Sequence, residues 1–192
     1  MADTSGFTRN VDGALVPLPG VYTFDKAHSS VAFVVRHLMV SKVRGLFHEF
    51  EGAITVAAEP SQSAVTATVD VATVDTRDAQ RDTHLRSPDF FDAESFPQMT
   101  FTSTRVLSAG GDAWKVEGDL AIHGVTRSVV LDVEFNGATG DPYGGTRVGF
   151  SASTEIDRED FGMTFNMALE TGGVMVSKSV KIEIEVEAIL QA

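Results

Sequence analysis

Cysteine is absent from the chain. That excludes disulfides, thiolate metal sites and thiol catalysis, and it leans towards a cytoplasmic setting. Positive charge is scarce too: 15 Lys and Arg stand against 27 Asp and Glu, a formal net charge of −12, with no basic cluster. Binding to nucleic acid needs clustered Lys and Arg to neutralise phosphates, so no nucleic-acid partner is expected. The same charge disfavours electrostatic docking onto anionic lipid. No apolar run approaches the roughly 20 residues of a membrane span, so stable membrane insertion is not expected either. The first twenty residues carry a single Arg, Arg9, and no continuous apolar stretch. They do not read as a secretory signal, so the expected localisation is cytoplasmic, with the periplasm or exterior open to a chain whose leader has been removed.

What is present is alternation. In a chain of 192 residues with 43 % apolar content, one domain with a substantial core is expected. Val180, Ile182, Ile184, Val186 and Ala188 alternate with Lys181, Glu183, Glu185 and Glu187, the period-two signature of a strand with one buried and one wet face. The same pattern runs through Trp114–Ile122, Val129–Phe135 and Val148–Ile156. Val31, Phe33 and Val35 start another set, and Leu46, His48, Phe50, Ile54 and Val56 make one more. Val65, Ala67, Val69 and Val71 are followed by a parity flip to Ala72 and Val74, which predicts a β-bulge near Val71–Thr73. Gly110-Gly111-Asp112, His123-Gly124 and Asn136-Gly137 are hairpin turn signals. No long helical period separates the runs, so the strands are antiparallel, eight or nine by this reading. Residues 1–18 read as a flexible polar tail and 19–192 as the folded domain. Residues 77–92 break the alternation and predict one or two short helices, with Ser87-Pro88-Asp89 as a helix start. A sandwich and a closed barrel both fit, and closure removes exposed edges.

The chemistry-bearing residues are few. His37 and His48 continue inward faces in this reading and could serve as acid and base or bind a metal. No inward carboxylate supplies a third ligand and no HExxH spacing occurs, so no metal and no cofactor are expected. Gly-x-Ser-x-Gly and a phosphate-cradling Gly loop are also missing. Charged residues from Asp75 to Glu94, with Arg77, Arg81 and Arg86 among them, read either as a polar mouth or as a solvated loop. Asp157, Arg158, Glu159 and Asp160 form a second charged knot. Two irregular segments are rich in Phe and Met: Phe90, Phe91, Phe96 and Phe101 in one, and Phe161, Met163, Phe165, Met167 and Met175 in the other. Such adaptable side chains suit the lining or lid of an apolar cavity as well as ordinary plugging of barrel ends.

Several motifs occur in a fixed order. Asp25, His28-Ser29, Val31, Phe33, Val35, His37, Ser41, Val43, Gly45 and Phe47 open the series, and HLRSPDFFDAESFPQMTFTS (His84–Ser103) is its most specific block. Gly118-Asp119-Leu120 with Ile122-His123-Gly124-Val125-Thr126, then Arg158–Gly162 (REDFG) and VSKSVKIEIEVEA, complete it. From about Gly20 to Leu190 the chain resembles the YceI-like, polyisoprenoid-binding family. The resemblance implies an all-β fold, an extended eight-stranded antiparallel lipocalin-like barrel. Its channel would hold an isoprenoid chain, an isoprenoid quinone or a fatty amide or acid. Many family members act in the periplasm, whereas the leader here is polar.

On this reading Phe33, Val35, Phe50, Phe101, Met163 and Phe165 are expected to line the channel, with Leu85, Phe90, Phe91 and Phe161 beside them. His37 and His48 would face the interior, and Arg81, His84 and Arg86 would stand near the mouth. Each buried CH₂ contributes about 0.8 kcal/mol. Micromolar binding needs about −8 kcal/mol net, after association costs of several kcal/mol, so a tail of roughly fifteen carbons or more is expected. A binding protein is therefore expected rather than an enzyme. The rivals are an enzyme acting on a hydrophobic substrate through His37 or His48 and a barrel with a filled core. A homodimer paired through an apolar mouth is compatible with the sequence but not displayed by it.

Overall fold

The structure, a computed structural model, describes residues 6–168 and 174–191. Residues 1–5 of the expected tail and residues 169–173 of the Met-rich segment lie outside the described residues. The expected tail is not uniformly irregular: β1 (Thr8–Val11) and β2 (Ala14–Pro17) form an antiparallel hairpin. Ala14 and Val16 are buried, Arg9 Nη2 donates to the Ala57 carbonyl at 2.8 Å, and Tyr22 Oη donates to the Leu18 carbonyl at 2.8 Å. Its two-residue turn, Asp12-Gly13, takes positive φ at both positions, which is what a tight hairpin needs. The apolar face of β2 is too short to stand out as a strand in the sequence, and only its docking site makes it one.

Three pairs of short strands follow, each pair lying end to end: β3 (Gly20–Phe24) with β4 (Ser30–His37), β5 (Ser41–Phe47) with β6 (Phe50–Val56), and β7 (Ala64–Asp70) with β8 (Val74–Asp75). After α1 (Ala79–Arg86) come five long strands: β9 (Gln98–Gly110), β10 (Ala113–Ile122), β11 (Val125–Gly140), β12 (Thr146–Asp157) and β13 (Val176–Leu190). Each stave pairs antiparallel with the next in sequence. β13 then pairs with β12 from Arg147↔Ile189 to Asp157↔Ser179, and on its other edge with β3 and β4 from Tyr22↔Leu190 to His37↔Val176. The result is a closed, eight-stranded antiparallel barrel. The even-numbered residues of β12 from Val148 to Ile156 and of β13 from Val180 to Ala188 face inward, as their alternation requires, with their odd-numbered neighbours on the other face. No helix among the described residues is long and apolar enough to cross a membrane.

Three adjacent staves break at one level. A 3₁₀ turn over Lys26–His28 separates β3 from β4, His48-Glu49 separates β5 from β6, and a 3₁₀ turn over Val71–Thr73 separates β7 from β8. The parity flip thus takes the form of a 3₁₀ turn and not of a simple bulge. The breaks are stitched across the staves: His48 N and Glu49 N both donate to Thr73 Oγ1, at 3.2 and 3.1 Å, Asp70 N donates to Glu49 O at 2.9 Å, and Lys26 Nζ pairs with Glu49 at 2.7 Å. Ladder bonds lost at a kink are replaced by these contacts.

A single short α-helix covers one end of the barrel. Its start signal is Asp78, which accepts hydrogen bonds from Gln80 N and Arg81 N, and not the expected Ser87-Pro88-Asp89. Ser87 instead ends the helix, its Oγ and N both donating to the His84 carbonyl. The buried Asp82 accepts from Thr76 N at 2.8 Å and Thr76 Oγ1 at 2.6 Å, fastening α1 to the stave below.

Two tests follow from this packing. At Gly118 a Cβ would lie 2.7 Å from the Thr102 carbonyl oxygen, backbone that cannot move aside, and against the Phe101 ring. Gly118→Ala is expected to lower unfolding free energy by about 2 kcal/mol in urea melts. Gly149→Ala, whose Cβ would meet only Asn136 Cβ at 3.4 Å, serves as the near-neutral control. At the closing seam, Arg147 in β12 binds Asp25 at 2.6 Å, Asp141 at 3.1 Å, and Glu187 in β13. Arg147, then His28, hold the Asp25 carboxyl down to about 2. Its folded value lies below its unfolded one, so this stabilisation is complete above about pH 4 and fades as pH falls towards 2. The stability gap between the wild type and Arg147→Met is expected to be widest at neutral pH and to narrow across that acid window.

Candidate functional site: an apolar channel in two chambers

The interior is not packed solid. A cavity of about 200 Å³ occupies the half nearer the N-terminal hairpin, and one of about 100 Å³ lies beneath α1. Val31, Met99, Ile122 and Ile182 belong to the walls of both, so the two chambers adjoin and share a septum. Small inward residues make the room: Ala67 stands beside Phe101, and Ala152 between Val133 and Ile184. Val16 and Pro17 of β2 reach the wall of the larger chamber, so the hairpin stoppers that end.

The smaller chamber is walled by Phe33, Val35, Leu85, Phe90, Phe91 and Met163 among others, and Phe101 is in the wall of the larger. Phe50 and Phe161, at 6 % and 1 % exposure, are packed in the surrounding core outside both walls. Phe165 forms an aromatic cluster over the helix end, its ring centroid 4.8 Å from His84 and 5.4 Å from Phe90.

The polar candidates lie elsewhere. His48 is a correction: it points outward, exposed, and its Nε2 lies 3.0 Å from Asp75. The two residues between β5 and β6 leave the ladder, so counting parity through them turned His48 to the wrong side. Phe47 takes the buried place. His37 sits half-buried at the end of β4, in neither wall. His84 pairs with Asp89 at 2.8 Å while its ring edge meets Phe90. Arg81 donates through Nε to Thr76 Oγ1 and through Nη2 to Thr76 O, and Arg86 donates to the Ala72 and Val74 carbonyls. Both arginines bind the helix to its stave.

Asp25, His28 and Glu187 are the one group among the described residues close enough together to hold a cation. The Arg147 guanidinium already bonds both carboxylates, which satisfies the charge a metal would neutralise. Sequence reasoning named few of the aliphatic wall residues, leaving out Val31, Met99, Ile122 and Ile182 among others, and it passed over a charged one. Arg158, 3 % exposed, belongs to the wall of the smaller chamber. Extending the inward parity of Ile156 by one step reaches it, but its place in a run of charged residues suggested a wet surface.

A family model described as "YceI-like domain" matches residues 22–188. UPF0312 protein SAS2572 of Staphylococcus aureus (strain MSSA476) is 44 % identical over 168 residues, covering 86 % of this chain and 95 % of the relative. Among solved structures, Burkholderia cenocepacia BcnA superposes with a TM-score of 0.76 at 26 % identity, over 85 % of this chain and 98 % of that one. The Campylobacter jejuni YCEI protein gives 0.71 at 34 % identity, over 89 % and 98 %. A polyisoprenoid binding domain from Saccharophagus degradans gives 0.68 at 16 % identity, over 90 % and 99 %, a likeness of fold.

Among the described residues, no histidine belongs to either wall. His37→Ala and His48→Ala are therefore expected to leave uptake of a long-chain fluorescent probe unchanged within about twofold, or about 0.4 kcal/mol, in equilibrium titrations.

Proposed function

The chain belongs to the YceI-like family, and we propose that its barrel binds a long-chain apolar amphiphile in the two-chamber channel. A polyisoprenoid, an isoprenoid quinone or a fatty amide or acid fits, and the role is carriage, storage or sequestration. The observation that carries this reading is the pair of apolar chambers sharing one septum. An elongated guest matches that shape better than a compact one.

The energetics agree. Burial of each CH₂ contributes about 0.8 kcal/mol, and the walls present almost only aliphatic and aromatic side chains. Val176, in the wall of the smaller chamber, and Val186, in the wall of the larger, are separated along β13 by roughly 33 Å at about 3.3 Å per residue. Projected on the axis at a strand tilt of about 40°, that is roughly 25 Å, room for a long tail laid lengthwise. The Saccharophagus degradans barrel, described as a polyisoprenoid binding domain, lends support by analogy of fold. An acid–base reaction would need a proton-transfer group at the guest, and among the described residues the walls offer neither a histidine nor a carboxylate.

Native mass spectrometry of purified protein, with solvent extraction of bound lipid, tests the reading. Co-purifying amphiphile, or stoichiometric uptake of an added prenol or long-chain quinone, is the expected result. Ala152→Phe puts a ring into the larger chamber and is expected to weaken uptake at least about tenfold, or about 1.4 kcal/mol, while the melting temperature holds. An empty barrel that takes up no apolar guest would overturn the proposal.

A further inference from the structure

Among the described residues, Arg158 is the one charged residue in the walls of the two chambers. It follows β12 at the inward parity of Ile156, at the start of a 3₁₀ turn over Arg158–Phe161, and Asp157 caps that turn by accepting from Glu159 N at 2.9 Å. The side chain is held firmly. Nε donates to the Ser177 carbonyl at 3.0 Å, and Nη1 donates to the Met163 carbonyl. The guanidinium carbon lies 6.0 Å from the centre of the Phe90 ring.

Nη2 is the exception: it is buried and has no hydrogen-bond partner among the described residues. No ion pair among the described residues includes Arg158. The nearby carboxylates act from a distance, because Glu159 is bonded to Lys178 at 2.6 Å and Asp157 to its own turn. Burial alone accordingly works against the charged form of Arg158. A desolvated cation with two unused N–H donors is costly unless something supplies the missing acceptor. Here the fork is held rigid at the wall of an apolar chamber, which is how a protein prepares an oxyanion contact.

We propose that Arg158 anchors the head group of the guest, and that the head is an anionic oxygen group, a carboxylate or a phosphate. This rests on the channel-binding reading and specifies its ligand. The head sits against Nη2 under α1, and the tail runs across the septum of Val31, Met99, Ile122 and Ile182 towards the N-terminal hairpin. Neutral-headed chains gain only the burial of their tails. A cationic head meets repulsion at the anchor.

Four probes of equal tail and different head test this: palmitic acid, 1-hexadecyl phosphate, 1-hexadecanol and hexadecylamine, each displacing a neutral long-chain fluorescent probe at pH 8. The wild type is expected to bind one or both of the anionic probes at least about tenfold tighter than the alcohol or the amine. Whichever anion binds tighter identifies the head. Arg158→Met is expected to bring the anions down to the level of the alcohol and to leave the alcohol within about twofold of wild type, which also shows that the channel is intact. Because Arg158 ties Ser177 to Met163, Arg158→Lys is measured in parallel. It keeps the charge and is expected to retain part of the preference for anions.

A second readout separates anchoring from a purely structural role. The carboxyl resonance of 1-¹³C-palmitate bound to the wild type should titrate at lower pH than in Arg158→Met or, if that variant does not fold, Arg158→Lys. Equal wild-type affinity for all four probes would overturn the anchor and leave the channel reading standing. An anion preference that survives in Arg158→Met would overturn it as well. So would a bound carboxyl that titrates at the same pH in wild type and variant. Failure of every probe to bind the wild type would overturn both proposals.

Discussion

The hydrogen-bonded seam between β12 and β13 is what the rest of the molecule depends on. With the other edge of β13 joining this last stave to the first, it turns a meander into a tube and commits alternate residues of the staves to the interior. Eight strands enclose a space that side chains of ordinary size can just fill. Whether the tube is solid or hollow then depends on a few inward positions. Ala67 and Ala152 leave volume beside larger neighbours, and the chambers occupy that volume. On the outside, Arg147 joins the β11–β12 turn, β13 and the β3–β4 break through Asp141, Glu187 and Asp25.

The two ends are finished differently. The β1–β2 hairpin closes one with apolar side chains, Val16 and Pro17. At the other, three neighbouring staves kink together, and α1 packs over them with its polar groups bonded to the backbone beneath: Asp82 to Thr76, Arg81 to Thr76, Arg86 to Ala72 and Val74. The charged residues of this region are therefore mostly fasteners. Arg158 differs because it lies inside the channel and one of its terminal nitrogens has no partner among the described residues. The described walls thus carry a cation at one end and apolar side chains at the other, an asymmetry that would give the proposed amphiphile a direction.

The alternation of β10 to β13 was legible because each strand is long, its wet face is charged, and Gly-containing turns bound most of the connections. Legibility failed where the period was interrupted. Reading straight through His48-Glu49 put His48 inside, because a sequence does not mark residues that leave the ladder. Ser87-Pro88-Asp89 has the residue types of a helix start, yet Asp78, nine residues earlier, has the free side chain and the extended backbone that cap α1. Residues 8–17 look like a polar tail because their buried side chains, Thr8, Ala14, Val16 and Pro17, are small.

Taken alone, the sequence determined an all-β chain with apolar faces of period two, no metal-binding or nucleophilic motif, and the ordered blocks that mark its family. These are properties of neighbouring residues and of composition. The tertiary structure decided that the sheet closes and that the interior holds two adjoining chambers. It also decided that His48 faces water while Arg158 faces the channel. Those outcomes depend on which strands meet across long sequence distances and on where kinks shift parity, and local pattern carries neither.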